Sequence, residues 1–188
     1  MATENETFVV SEHLRSAPAD VVDLIRKLGI SYEEKPMEYG ADGRIDFDGN
    51  SYKITVNSNQ SRQRRKFTAA HEVAHFLLHR DLLRREGHLD RLFDAAGRNN
   101  PSAPFTARHE VEANKLAAQI LMPRDAIISR MVWEEYNLRR LADAFGVSPA
   151  AMEIRLKVLG IDLEKERARE ESGEFERAAN LGAAEIPF

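Results

Sequence analysis

The 188-residue chain contains no cysteine. Disulfides, thiolate-ligated zinc and a thiol redox switch are therefore excluded, and any metal it holds must be bound by histidine and carboxylate. It also lacks an apolar run of the roughly 18 residues that a membrane-spanning helix needs. Its first residues, MATENETFVVSEHLRSAP, are broken by charges and do not read as an apolar signal segment. The expectation is a cytoplasmic protein with no part in the membrane. A cationic surplus is missing too: 27 Lys and Arg stand against 31 Asp and Glu, a net charge of −4. That balance argues against a protein whose main task is wrapping phosphate backbones. The cluster Arg62, Arg64, Arg65 and Lys66 is a local exception that could steer an acidic partner or nucleic acid, although a solvated basic face accounts for it more simply.

What the chain does have is His71-Glu72-Val73-Ala74-His75, within RKFTAAHEVAHFLLHR. Residues four apart on a helix differ by about 40° in direction and about 6 Å in height, so the two imidazoles share one face and can bind one ion. Glu72 lies about 100° from His71, too far round to join them easily as a ligand, yet placed to hold a water molecule at the metal and take its proton. The pattern predicts a zinc-dependent hydrolase. The segment from Phe67 to Leu78 has no Gly or Pro, and Phe67, Ala70, Val73, Ala74, Leu77 and Leu78 recur at core-facing spacings, with Thr68 near the helix start. The competing reading is a buried helix with two satisfied histidines.

A catalytic zinc takes three protein ligands and leaves a fourth position open. His79 continues the stripe, but on an unbroken helix it stands about 12 Å from His71 along the axis, against Zn–N bonds of about 2 Å. It reads instead as a helix-end residue or a polar group near the cleft. The better third ligand is Glu110, in a second helix drawn by Val111, Lys115, Ala118 and Leu121 and ended by Pro123. Asn114, one turn later, can orient a ligating imidazole. Glu112 points about 200° away and faces elsewhere. A solvated acidic face at a helix start is the alternative.

Elsewhere, Pro18 to Leu28 reads as a helix ended by Gly29. Residues 44–47 and 52–56 alternate polar and apolar around Asp48-Gly49-Asn50, a hairpin. The strand ending at Val56 and Asn57 is expected at the sheet edge beside the active helix, where an extended peptide could add; Val56, Asn57 and His79 are the candidate substrate-binding residues. Residues 87–108 read as an irregular connection with a short helix around 89–93, suited to gating a cleft. Residues 138–158 carry a helix-turn-helix-like pattern, Leu138, Leu141, Ala142 and Phe145, then Gly146-Val147-Ser148, then Ala151, Ile154 and Leu156; packing support is favoured there over DNA binding. Residues 161–180 read as an exposed helix or a disordered tail.

Three stretches, RRKFTAAHEVAHFLLH at 64–79, EVEANKLAAQILMP at 110–123 and LRRLADAFGVSPAAMEIRLKVLG at 138–160, together resemble the ImmA/IrrE-type metallopeptidases. The resemblance covers roughly residues 20–160 and implies zinc held by His71, His75 and Glu110, with Glu72 as base. It also implies an α+β, zincin-like minimal core: a small, mostly antiparallel sheet, an active-site helix and a C-terminal helical subdomain. The expected organisation is an extension at 1–17, the peptidase domain at 18–128, the helix-turn-helix-like subdomain at 129–160 and a charged tail at 161–188. The implied partner is a helix-turn-helix repressor or antitoxin, cleaved to release genes. The oxyanion-stabilising group is not fixed by the pattern; His79, His109 and Tyr136 are candidates. The competing function is a regulatory module that binds a repressor or DNA, its metal site structural or vestigial, and a third is a zinc hydrolase of non-peptide amides.

Overall fold

The computed structural model describes residues 3–15, 20–85 and 105–172. Eight helices and three strands follow one another among them, with α1 (Glu4–Arg15), α2 (Val21–Lys27), β1 (Ser31–Lys35), β2 (Gly43–Phe47), β3 (Tyr52–Asn57) and α3 (Arg62–Arg85) forming the first half. The second half is helical: α4 (Ala107–Leu121), α5 (Arg124–Met131), α6 (Leu138–Phe145), α7 (Pro149–Leu159) and α8 (Leu163–Glu171). The architecture is the α+β one expected. No helix among the described residues is long and apolar enough to cross a membrane.

The expected hairpin forms. Asp48 accepts from the amides of Asn50 and Ser51 and from the Ser51 hydroxyl, which holds its carboxyl below the usual range, and Gly49 supplies the positive φ the turn requires. The sheet is mixed rather than mostly antiparallel: its order is β1-β3-β2, with β1 parallel and β2 antiparallel to β3. One sequence expectation is corrected here. β3 is the central strand, so Val56 and Asn57 do not border a free edge; Val56 pairs with Glu34 and Gly43 on its two sides. The Asn57 side chain donates to the Ala41 carbonyl and accepts from the amides of Met37 and Asn59, pinning the loops around β3.

β2 is the edge that runs along α3. Gly43 passes so close that a Cβ there would stand 2.4 Å from Thr68 Cγ2, and the other end of the strand reaches Phe76 through the ring stack Phe47–Tyr52–Phe76. Ile45, Ile54 and Val56 pack with Ala69, Ala70, Val73 and Leu77 of α3 in a core that excludes water from that helix's inner face. Helix α3 starts a turn before its apolar stripe does, so Thr68 lies fully buried inside it and not at its end. The α2 helix is shorter than expected because the Asp20 side chain caps it at Val22, while residues 16–19 lie outside the described residues.

The segment read as an extension holds α1, whose Val9 and Val10 pack on the core and whose His13 is buried. The helix-turn-helix-like pair is α6 and α7, joined through Gly146 in the left-handed region and capped by Asn137 and Ser148. Met152, Arg155 and Leu156 face the core and Ala151 packs against it, whereas Ile154, expected in the same pattern, is 65% exposed. Past it, α8 is capped by Asp162 and has no buried residue. The gating connection expected across residues 87–108 falls outside the described residues up to 104.

Candidate metal centre

The site is built where α3 and α4 face each other. Because α3 carries the apolar stripe on one side and histidines on the other, burial of the stripe turns His71 and His75 toward α4; both are fully buried, as is Glu72 between them. Helix α4 is placed by Ala113, Ala117, Ile120 and Leu121 on its core face. Its start is fixed by a capping box in which the Thr106 hydroxyl accepts from the His109 amide and His109 Nδ1 accepts from the Thr106 amide. That start delivers Glu110, one residue on, to the histidines.

Three ligand-type atoms converge. His71 Nε2 and His75 Nε2 are 2.9 Å apart, and Glu110 Oε2 lies 3.3 Å from the first and 3.6 Å from the second. Atoms bound about 2.0–2.2 Å from a tetrahedral ion stand about 3.3–3.5 Å from one another, so the triangle fits a metal ion with slight opening. The chemistry of the donors fits as well. Asn114 Oδ1, an acceptor, lies 3.0 Å from His71 Nδ1, so that nitrogen carries the ring proton and Nε2 offers its lone pair. His71, His75 and Glu110 form a group able to hold a metal ion.

His79 is not part of that group. It sits where α3 departs from helical geometry (φ −123°, ψ 21°), is 7% exposed, and places Nδ1 3.0 Å from His75 Nδ1 and Nε2 3.3 Å from Glu112 Oε2. Expected as a candidate substrate-binding residue, it stands behind His75, between that ring and Glu112. Glu112 faces away from the ligand cluster, as its helical position requires, and what it faces is His79. Arg108 and His79 hold its carboxyl below the usual range. The sequence reading missed this pairing, although the histidine stripe at 71, 75 and 79 carried a signal for it. Phe105 and His109 close over the group, with ring centroids 4.3 Å from His75 and 4.7 Å from His79 respectively. Tyr136 is elsewhere, beside the carboxylates of α8: burial, reinforced by the negative charge of Glu170, pushes its pKa up to about 12.

The basic cluster ahead of His71 is largely engaged within the molecule. Arg64 pairs with buried Asp42, Arg65 with Glu34 and the carbonyls of Ser58 and Gln60, and Lys66 donates to the Phe145 carbonyl, its pKa lowered by burial. An open groove of about 730 Å³ adjoins the centre, lined by Phe67 and Asn114 at one end and by Val111, Ala118, Ile154 and Val158 beyond. A larger cavity of about 920 Å³ between α1, α5 and α7 includes no residue of the metal group.

A helix pair presenting two histidines and a glutamate to one point, on a small mixed sheet, is the arrangement of a metallopeptidase. The family model Peptidase_M78, described as the IrrE N-terminal-like domain, matches residues 25–157, well over half of the chain, and the protein belongs to that family. None of the curated proteins compared with the chain matches it.

Proposed function

We propose that this protein is a zinc endopeptidase in which His71, His75 and Glu110 hold the ion and Glu72 is the general base. The observation that carries the reading is the convergence of the two Nε2 atoms and Glu110 Oε2 beside a buried carboxylate on the same helix. Two imidazoles, one carboxylate and no thiolate favour zinc, with one position left for substrate or water. Zinc bound there supplies Lewis-acid polarisation of the scissile carbonyl and acidifies water. Glu72 takes the proton from the attacking water and delivers it to the departing amine nitrogen. Asn114 holds the His71 ring in the ligating tautomer.

The substrate we propose is a protein, and by family resemblance a helix-turn-helix repressor or antitoxin, which would place the reaction in the cytoplasm. The groove beside the centre suits a chain with apolar side chains, since Val111, Ile154 and Val158 are half or more exposed along it. An extended substrate would pair with β2, an edge strand of the sheet among the described residues that packs along α3. DNA binding by α7 is the weaker reading. Its exposed face mixes Glu153, Ile154, Lys157 and Val158, which is poor in cations for contact with phosphates.

The test is terminal-peptide mass spectrometry on a lysate of the source cells incubated with zinc-loaded protein. New amino termini should appear with the unmodified chain and be absent with Glu72→Gln, which should bind zinc equally. Cleavage persisting in Glu72→Gln removes the assigned base, and failure of the unmodified protein to bind zinc removes the reading.

A further inference from the structure

We propose that His79 and Glu112 are positioning residues that fix which ring nitrogen of His75 faces the metal; the inference rests on the zinc-centre reading above. An ionised carboxylate only accepts, so His79 Nε2, 3.3 Å from Glu112 Oε2, carries the proton. A neutral imidazole has one N–H, which leaves His79 Nδ1 as an acceptor. Facing it at 3.0 Å is His75 Nδ1, which must therefore donate. His75 Nε2 then turns its lone pair toward His71 Nε2 and Glu110 Oε2, as a metal ligand requires.

The two ligating histidines are thus held by different devices. His71 is fixed by one amide oxygen, that of Asn114, while His75 is fixed by an imidazole that a carboxylate in turn orients. The series continues outward to Arg108, whose Nε donates to Glu112 Oε1 at 2.8 Å. Asn114 and Glu112 both lie on α4, so the helix that supplies the carboxylate ligand also sets the tautomers of both imidazoles supplied by α3. Glu112 acts on the metal through His79, and His79 through His75. A tie that merely joined α3 to α4 would not require this proton arrangement.

The experiment uses the full chain. In the zinc-loaded protein labelled with ¹⁵N-histidine, long-range ¹H–¹⁵N correlation should show the His79 proton on Nε2 and the His75 proton on Nδ1. A proton on His79 Nδ1 overturns the proposal, and this measurement needs no variant to fold. Calorimetry then compares zinc affinity. His79→Phe keeps a ring and removes the acceptor, and should weaken zinc by about 10–100-fold. His79→Asn, whose Oδ1 can stand in for Nδ1, should restore most of that loss. Adding Glu112→Ala to His79→Phe should change nothing further. Equal zinc affinity in the unmodified protein and His79→Phe refutes the positioning role but leaves the zinc centre standing, whereas absence of zinc binding by the unmodified protein refutes the reading beneath it.

Discussion

Asn114 Oδ1 and His71 Nδ1 lie 3.0 Å apart across the α3–α4 interface, and this one contact ties the orientation of a ligand on the first helix to the register of the second. Asn114→Leu leaves the His71 ring without its acceptor and should weaken zinc by about 10–100-fold, the usual cost of losing a group that orients a ligand. Asn114→Asp retains an acceptor and should bind at least as tightly as the unmodified chain. Competition with a chromophoric chelator measures both.

Glu110 and Glu112 make different demands on the metal. Glu110 Oε2 stands 3.3 and 3.6 Å from the two imidazole nitrogens, so Glu110→Ala should abolish stoichiometric zinc after dialysis. Glu112→Ala should retain it with an affinity lower by about tenfold. Full zinc occupancy in purified Glu110→Ala would sink the assigned ligand set.

The parts of this site that could be read from the sequence are those set by helix geometry within one segment. His71 and His75 share a face by spacing alone, and Glu110 with Asn114 repeats that logic one helix later. The stripe put His79 in line with the ligands but did not name its partner, which depends on which residue of α4 arrives opposite, and that is decided by packing of Ala113, Ala117 and Ile120. The position of β3 was misjudged for a related reason. Its alternating KITVN fits an edge or a centre equally well, and the strand that covers its other side, SYEEK, is too polar to announce itself. Tyr136 was nominated on chemistry alone, with nothing in the sequence to show that α8 folds back against it.

Gly43 sets how closely β2 approaches α3. A Cβ added there would meet Thr68 Cγ2 at 2.4 Å and the Thr55 carbonyl at 2.9 Å, the latter backbone that cannot swing away. Gly43→Ala should therefore destabilise the fold by about 1–3 kcal/mol, the cost typical of overpacking. Urea unfolding should show a lower midpoint with an unchanged slope. A midpoint equal to that of the unmodified protein would mean that the strand shifts freely, and the placement of α3 against it would then be loose.

Helix α1 is held on α3 beside the kink at His79. Arg80, the next residue, lies 3.8 Å over the Phe76 ring and pairs at 2.8 Å with Glu6 of α1, both side chains being mostly buried. Burial by itself would raise the Glu6 pKa, but the Arg80 guanidinium and the Thr3 amide outweigh it, and the net shift is downward from 4.5. The folded state therefore holds this carboxylate ionised at pH values where the unfolded chain binds a proton. Its contribution is fully present above pH 4.5 and is lost as pH falls through the lower folded value. Glu6→Gln should cost about 1–3 kcal/mol at neutral pH, in the range for a hydrogen bond to a charged group. The difference from the unmodified protein should shrink as pH drops below 4.5. Thermal melts with chelator present, so that metal loss adds nothing, measure the gap at each pH. A constant gap down to pH 3 would show that the two proteins differ through packing, and that the Glu6 charge contributes nothing to holding α1 in place.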